Sequence, residues 1–170
     1  MRVTLKPHPT TPGPDIDITV QMERRGGRLS LRYVVDGDVE GVEWPAPAQG
    51  RADDLWKHTC FEIFVRTADG YREFNLSPSG QWASYRFDGY REGMAQAAEV
   101  ADAPLLDAGA DHVGLETVID LPPGARALGL SAVIEAADGR ISYWALAHPS
   151  DKPDFHHPGS FVLDLPPERP

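Results

Sequence analysis

Apolar and polar positions alternate with a period of two along much of the chain, which marks strands with one buried face and one exposed face. The clearest stretch is Ile16, Ile18, Val20 and Met22, the turn Arg25-Gly26-Gly27-Arg28, and the return run Leu29, Leu31, Tyr33 and Val35. This pattern predicts a hairpin. Three further runs, Cys60 to Arg66, Tyr71 to Ser77 and Trp82 to Asp88, are separated by Ala68-Asp69-Gly70 and Pro78-Ser79-Gly80, both of them tight-turn sequences. Their alternation assigns Phe61, Ile63, Val65, Phe74, Leu76, Ala83, Tyr85 and Phe87 to a core. Glu62, Glu73, Asn75, Trp82, Ser84 and Arg86 fall on the opposite, exposed face. Weaker patterns predict strands near Val3 to Lys6 and over 95–103, 113–121, 127–136, 141–147 and 160–165. Segments 7–14 and 36–54 and the tail 166–170 are expected to be irregular. About ten strands with regular turns imply an all-β chain, a jelly-roll β-sandwich of two antiparallel sheets, formed as a single domain over residues 1–170.

Composition sharpens this reading. Sixteen prolines and sixteen glycines spread through 170 residues leave little room for long helices. A chain of this length buries roughly 70% of its unfolded surface and needs no covalent staple. The net charge of −10 argues against nucleic acid or an anionic membrane as partner. One cysteine, Cys60, excludes an intramolecular disulfide and suits a reducing compartment. The absence of a long apolar run or a signal-like start leads to the expectation of a soluble, cytoplasmic protein. There is no G-x-S-x-G elbow, phosphate loop or dinucleotide fingerprint, and no cofactor is implied.

The exposed face of the three central strands gathers an acid, an amide, a base and an indole. Charged hydrogen-bonding groups recognise hydroxyls strongly and an indole stacks on the C–H face of a pyranose, so this mixture suits a sugar. A solvated face with a cross-strand Glu62–Arg86 pair would stabilise the sheet by only a few tenths of a kcal/mol. Trp44, Trp56, Trp82 and Trp144 all lie near strand ends or in loops, where no core position calls for an indole. Trp56 and Glu62 stand six residues apart, roughly 20 Å of extended chain, so they share a pocket only if segment 54–58 folds back over the sheet. His148-Pro149 and Asp154-Phe155-His156-His157-Pro158 place histidines and an aromatic in one stretch, readable as a pocket wall, a structural loop or a metal site. Asp36-Gly37-Asp38-Val39-Glu40-Gly41 matches half of an EF-hand loop, but Pro47 stands where the glutamate belongs. Glu62 and Glu73 have the placement of a glycosidase pair, which needs carboxyls roughly 5 to 9.5 Å apart.

The run D-L-W-K-H-T-C-F-E-I-F-V from Asp54, followed by Y-R-E-F-N-L-S-P-S-G, W-A-S-Y-R-F-D-G-Y-R-E-G-M and A-L-A-H-P with P-D-F-H-H-P, resembles the DOMON-like superfamily. Within it the likeness is to the family 9 carbohydrate-binding modules and their single-domain bacterial relatives. The resemblance implies a jelly roll that binds sugar or haem on a sheet face. It implies site roles for Trp56 and Glu62, with Arg86 as the arginine on a following strand and Trp144, Phe155 or His156 as the second aromatic wall. The expectation is therefore a non-catalytic domain binding a small molecule, a sugar, through Trp56, Glu62, Asn75, Trp82, Arg86, Trp144, Phe155 and His156. The alternatives are a haem domain using His58, His148 or His156 with Met94, and a protein-interaction module.

Overall fold

The computed structural model describes residues 1–167. The elements are β1 (Arg2–Pro7), β2 (Ile16–Arg25), β3 (Arg28–Gly37), β4 (Cys60–Thr67), β5 (Gly70–Leu76), β6 (Trp82–Phe87), β7 (Ala95–Gln96), β8 (Leu105–Ala108), β9 (His112–Asp120), β10 (Ala127–Glu135), β11 (Ile141–Ala145) and β12 (Leu163–Asp164). Three single 3-10 turns, Val39–Gly41, Leu55–Lys57 and Pro158–Ser160, complete them. The fold is all-β, as the alternation requires. Strands pair antiparallel in the order β7-β6-β5-β4-β10-β11-β1-β2-β3-β9-β8, with β12 also beside β10.

The sheet curls so that its two halves face one another. Ile18, Val20, Leu29 and Leu31 from β2 and β3 share one cluster with Phe61, Ile63, Phe74 and Leu130 from the other half. Tyr33 crosses the gap: its ring lies 4.8 Å from that of Phe61, and its hydroxyl donates to the Glu62 carbonyl oxygen at 3.0 Å. The predicted hairpin is β2–β3, and all eight of its alternating apolar residues are buried. Within segment 36–54, Asp36 and Gly37 end β3, the Asp38 carboxylate caps the Val39–Gly41 turn at the Gly41 amide, and Val42 and Arg51 make isolated bridges to Ala136 and Trp82. That carboxylate is the EF-hand-like one.

The structure departs from the sequence reading at the edges and in one strand's parity. Only Ala95–Gln96 of 95–103 is a strand, β8 was not anticipated because all four of its residues are exposed, and 160–165 shortens to Leu163–Asp164. Of the predicted irregular tail, residues 168–170 lie outside the described residues. The consequential difference is β6. Leu76 pairs with Trp82, Phe74 with Ser84, and Asn75 with Ala83, and directly opposed residues project to the same side. Trp82, Ser84 and Arg86 therefore share the inner side with Phe74, whereas Ala83, Tyr85 and Phe87 join Glu62, Glu73 and Asn75 outside. A one-step change of register exchanges every side chain of a strand between faces. Hydrophobicity misassigned this strand because both faces of the sheet are covered: Phe64, Tyr71, Ala83, Tyr85, Phe87, Phe155 and Phe161 form a second buried cluster on the outer side. Gly70 helps set this arrangement, since with φ of 130° it lets the Phe87 carbonyl oxygen come where a Cβ would stand 1.9 Å away.

Candidate ligand-binding site

The outer face of β4, β5, β10 and β11 is crossed by the strap 148–161, and a cavity of about 620 Å3 opens beside it. Glu62 and Glu73 line its floor with Val133 and Phe87, Tyr143, Phe155 and His156 wall it, and Trp56, Arg91, Met94, Lys152 and Pro153 border it. The demand on segment 54–58 is met by the 3-10 turn Leu55–Lys57, entered through Asp54 with φ of 62°. Tyr85 donates a hydrogen bond to Asp53 just before that turn, and Leu55 packs on the outer aromatic cluster. Trp56 is thus delivered to the cavity while 47% exposed, an unfavourable placement for an indole with no binding role.

The floor is acidic and dry. Glu62 is 3% and Glu73 5% exposed. Burial first, and the charge of Glu73 second, push the Glu62 carboxyl well above the usual carboxylate range. Burial raises Glu73 to about 7, against smaller opposing effects of the Asn75 amide and Arg91. Asn75 is fully buried beside them, and neither its oxygen nor its nitrogen completes a hydrogen bond. Ser131, the cross-strand partner of Glu62, also has a buried hydroxyl without a partner.

A relay fixes the wall. The Arg91 amide donates to the Tyr71 hydroxyl at 3.2 Å, and that hydroxyl meets His156 Nδ1 at 2.7 Å. His156 Nε2 faces Glu73 at 3.6 Å. Burial, assisted by Arg91, lowers His156 to about 4, so the ring is neutral near pH 7. With Tyr71 donating to Nδ1, the His156 proton sits on Nε2 and points toward Glu73. The Arg91 guanidinium turns away to Asp154 at 2.8 Å, and Tyr90 donates to the same carboxylate at 2.5 Å. Two charge-assisted bonds thereby tie the strap to the turn after β6.

Of the residues expected from sequence, Trp56, Glu62, Phe155 and His156 come together at the cavity, and Asn75 lies buried on the same sheet face. Trp82, Arg86 and Trp144 do not. Trp82 packs on the inner cluster under the Arg51 guanidinium, and Trp144 is buried in that cluster with its indole N–H donated to Ser142. Arg86 is half exposed on the inner side and pairs with Asp88 at 3.4 Å. The reason for Trp82 and Arg86 is the β6 parity, and for Trp144 its pairing with core residue Ala132. Sequence reading missed Arg91, Tyr143 and Lys152; the turn length between β5 and β6, which fixes the register, was the signal for Phe87. His58 is away from the cavity, paired with Glu135 at 2.7 Å, and His148 contacts the Lys6 carbonyl oxygen at 2.7 Å. A second cavity, of about 680 Å3, lies on the outer face of β2, β3 and β9. Among its lining, Arg32 pairs with Glu116, and also with Asp107 at 3.5 Å.

No family model matches the chain, and no curated protein matches it in sequence. Its fold is similar to the crystal structure of a candidate carbohydrate-binding protein from Bacteroides uniformis, with a TM-score of 0.59 at 17% sequence identity. The likeness covers 92% of this chain and 83% of that one. Among the described residues no helix is long and apolar enough to cross a membrane.

Proposed function

We propose that the chain is a non-catalytic, saccharide-binding domain whose ligand enters the cavity between Trp56 and the strap 148–161. The observation that carries this reading is the convergence of an exposed indole, aromatic walls and a buried acid–amide floor in one cavity of about 620 Å3. A pyranose presents C–H faces to the rings and hydroxyls to the floor, where an unmet polar group costs about 1–3 kcal/mol. The likeness to a candidate carbohydrate-binding fold supports the same conclusion. So does the resemblance of the central motifs to the DOMON-like superfamily and the family 9 modules, with the curled sheet read as a single jelly-roll sandwich. We place haem second: of the three candidate histidines only His156 lines the cavity, and its two nitrogens face Tyr71 and Glu73.

Trp56 is the one tryptophan at the cavity, so it reports on occupancy. Titration with glucose and cellobiose is expected to change tryptophan fluorescence in the parent chain. In Trp56→Ala the response is expected to vanish with the urea midpoint unchanged. A response that persists in the variant counts against the site, and a Soret band on adding haemin would favour the second reading.

A further inference from the structure

The floor of the cavity carries two carboxyl groups, and among the described residues no lysine or arginine pairs directly with either. Glu62 opens onto the cavity while 3% exposed, and no hydrogen bond or ion pair reaches its carboxyl group among the described residues. Glu73, its neighbour on the same face, faces the neutral His156 ring at 3.6 Å and the Asn75 amide. Asn75 is fully buried, and neither of its polar atoms completes a well-formed hydrogen bond. Two carboxyls so buried and so close resist ionising together, and hydroxyl donors bring no charge that would offset the repulsion. Arg91 is a remote counter-ion only, because its guanidinium is paired with Asp154 and offsets little of the effect of burial on Glu73. Lys152 borders the cavity but is exposed, at the mouth where water screens it. An ammonium group fits the deficit: it brings three donors, no acceptor, and one unit of positive charge. Trp56, Phe87, Tyr143 and Phe155 add aromatic lining, and the Trp56 ring already has the Lys57 ammonium 5.6 Å from its centroid.

We propose that the cavity selects a protonated amino sugar, its ammonium seated between the carboxyl groups of Glu62 and Glu73 while the ring packs on the aromatic walls. The proposal rests on the saccharide reading and narrows it to one charge class. In the empty cavity the acid pair retains a proton near neutrality, since burial raises both members. Arrival of an ammonium reverses the balance and drives that proton into solvent.

The test is calorimetric titration of the full chain with glucosamine hydrochloride, N-acetylglucosamine and glucose at about pH 6.5, just below the value of about 7 for Glu73, in two buffers of different ionisation heat. Glucosamine is expected to bind about tenfold or more tightly than the two neutral sugars and to release protons, which they do not. Glu62→Gln and Glu73→Gln are each expected to bring glucosamine down to the level of glucose. Equal affinity for all three sugars without proton release overturns the amino-sugar inference and leaves the saccharide reading in place. Binding of none of them by the folded chain overturns both. The parent-chain comparison stands even if a variant fails to fold.

Discussion

The two large cavities of this protein differ little in volume, about 680 Å3 on the outer face of β2, β3 and β9 and about 620 Å3 beneath the strap, yet their chemistry is opposed. In the first, charges answer one another across strands: Arg32 holds Glu116 and Asp107, and the hydroxyl of Thr117 donates to the Asp102 carbonyl oxygen at 2.7 Å. Exposed pairs of that kind contribute about 0–1 kcal/mol and leave nothing for a ligand to satisfy. In the second, two acids and an amide are withdrawn from water, with no lysine or arginine paired to either acid among the described residues. Size does not separate the two cavities; the burial of their polar groups does.

Substitutions sharpen this contrast, beginning with the packing beneath the strap. Phe64, 1% exposed, contacts Phe155, His156 and Phe161, so Phe64→Ala is expected to cost about 3–5 kcal/mol in urea unfolding. The acid floor comes next, through pH. Glu62 and Glu73 release protons near pH 4.5 when unfolded but hold them higher when folded, so their contribution to stability falls as pH rises toward the folded values. His156 opposes this between about 4 and 6.5, because its folded value lies below its ordinary one and stability rises with pH there. His156 offsets only one of the two acids, so a net fall is expected from about pH 4.5 upward, steeper between 6.5 and the folded value of about 7 for Glu73. Glu62→Gln should flatten it below pH 6.5, and His156→Gln should steepen it there. Persistence of the same slope in Glu62→Gln would contradict the assignment.

Smaller effects belong to the strap's attachment and to the other cavity. Asp154→Asn weakens the contacts to Arg91 and Tyr90, and with Arg91 half exposed the expected loss is about 1 kcal/mol. The same change should weaken saccharide binding more than it weakens the fold. Leu105→Ala, at a residue 70% exposed beside the first cavity, is expected to alter stability by less than about 0.5 kcal/mol and ligand response not at all.

The same contrast explains what could be read without coordinates. The β2–β3 hairpin was legible because one of its faces is core and the other carries Arg28, Ser30 and Arg32, so alternation has a single meaning. In β6 it has two: Ala83, Tyr85 and Phe87 are apolar because the strap covers them, and Ser84 is polar although it faces inward, bonded to the Glu99 carbonyl oxygen at 2.6 Å. Trp56, Glu62, Phe155 and His156 were recognisable as residue types out of place in a solvated loop or strand. Arg91 was not, because its position depends on a left-handed backbone at φ of 57° and a long-range partner in Asp154. Trp144 misled for the converse reason: its indole N–H is met locally by Ser142, which makes an interior position acceptable.

The strap is secured at its start and its middle. His8 Nε2 meets the Ser150 carbonyl oxygen at 3.1 Å and His148 Nε2 that of Lys6 at 2.7 Å, while Asp154 is clamped from the turn after β6. Phe155 and His156 consequently surrender their rotational freedom when the chain folds, not when a guest arrives. Little side-chain entropy at these two residues would then remain to be lost on any association at the cavity.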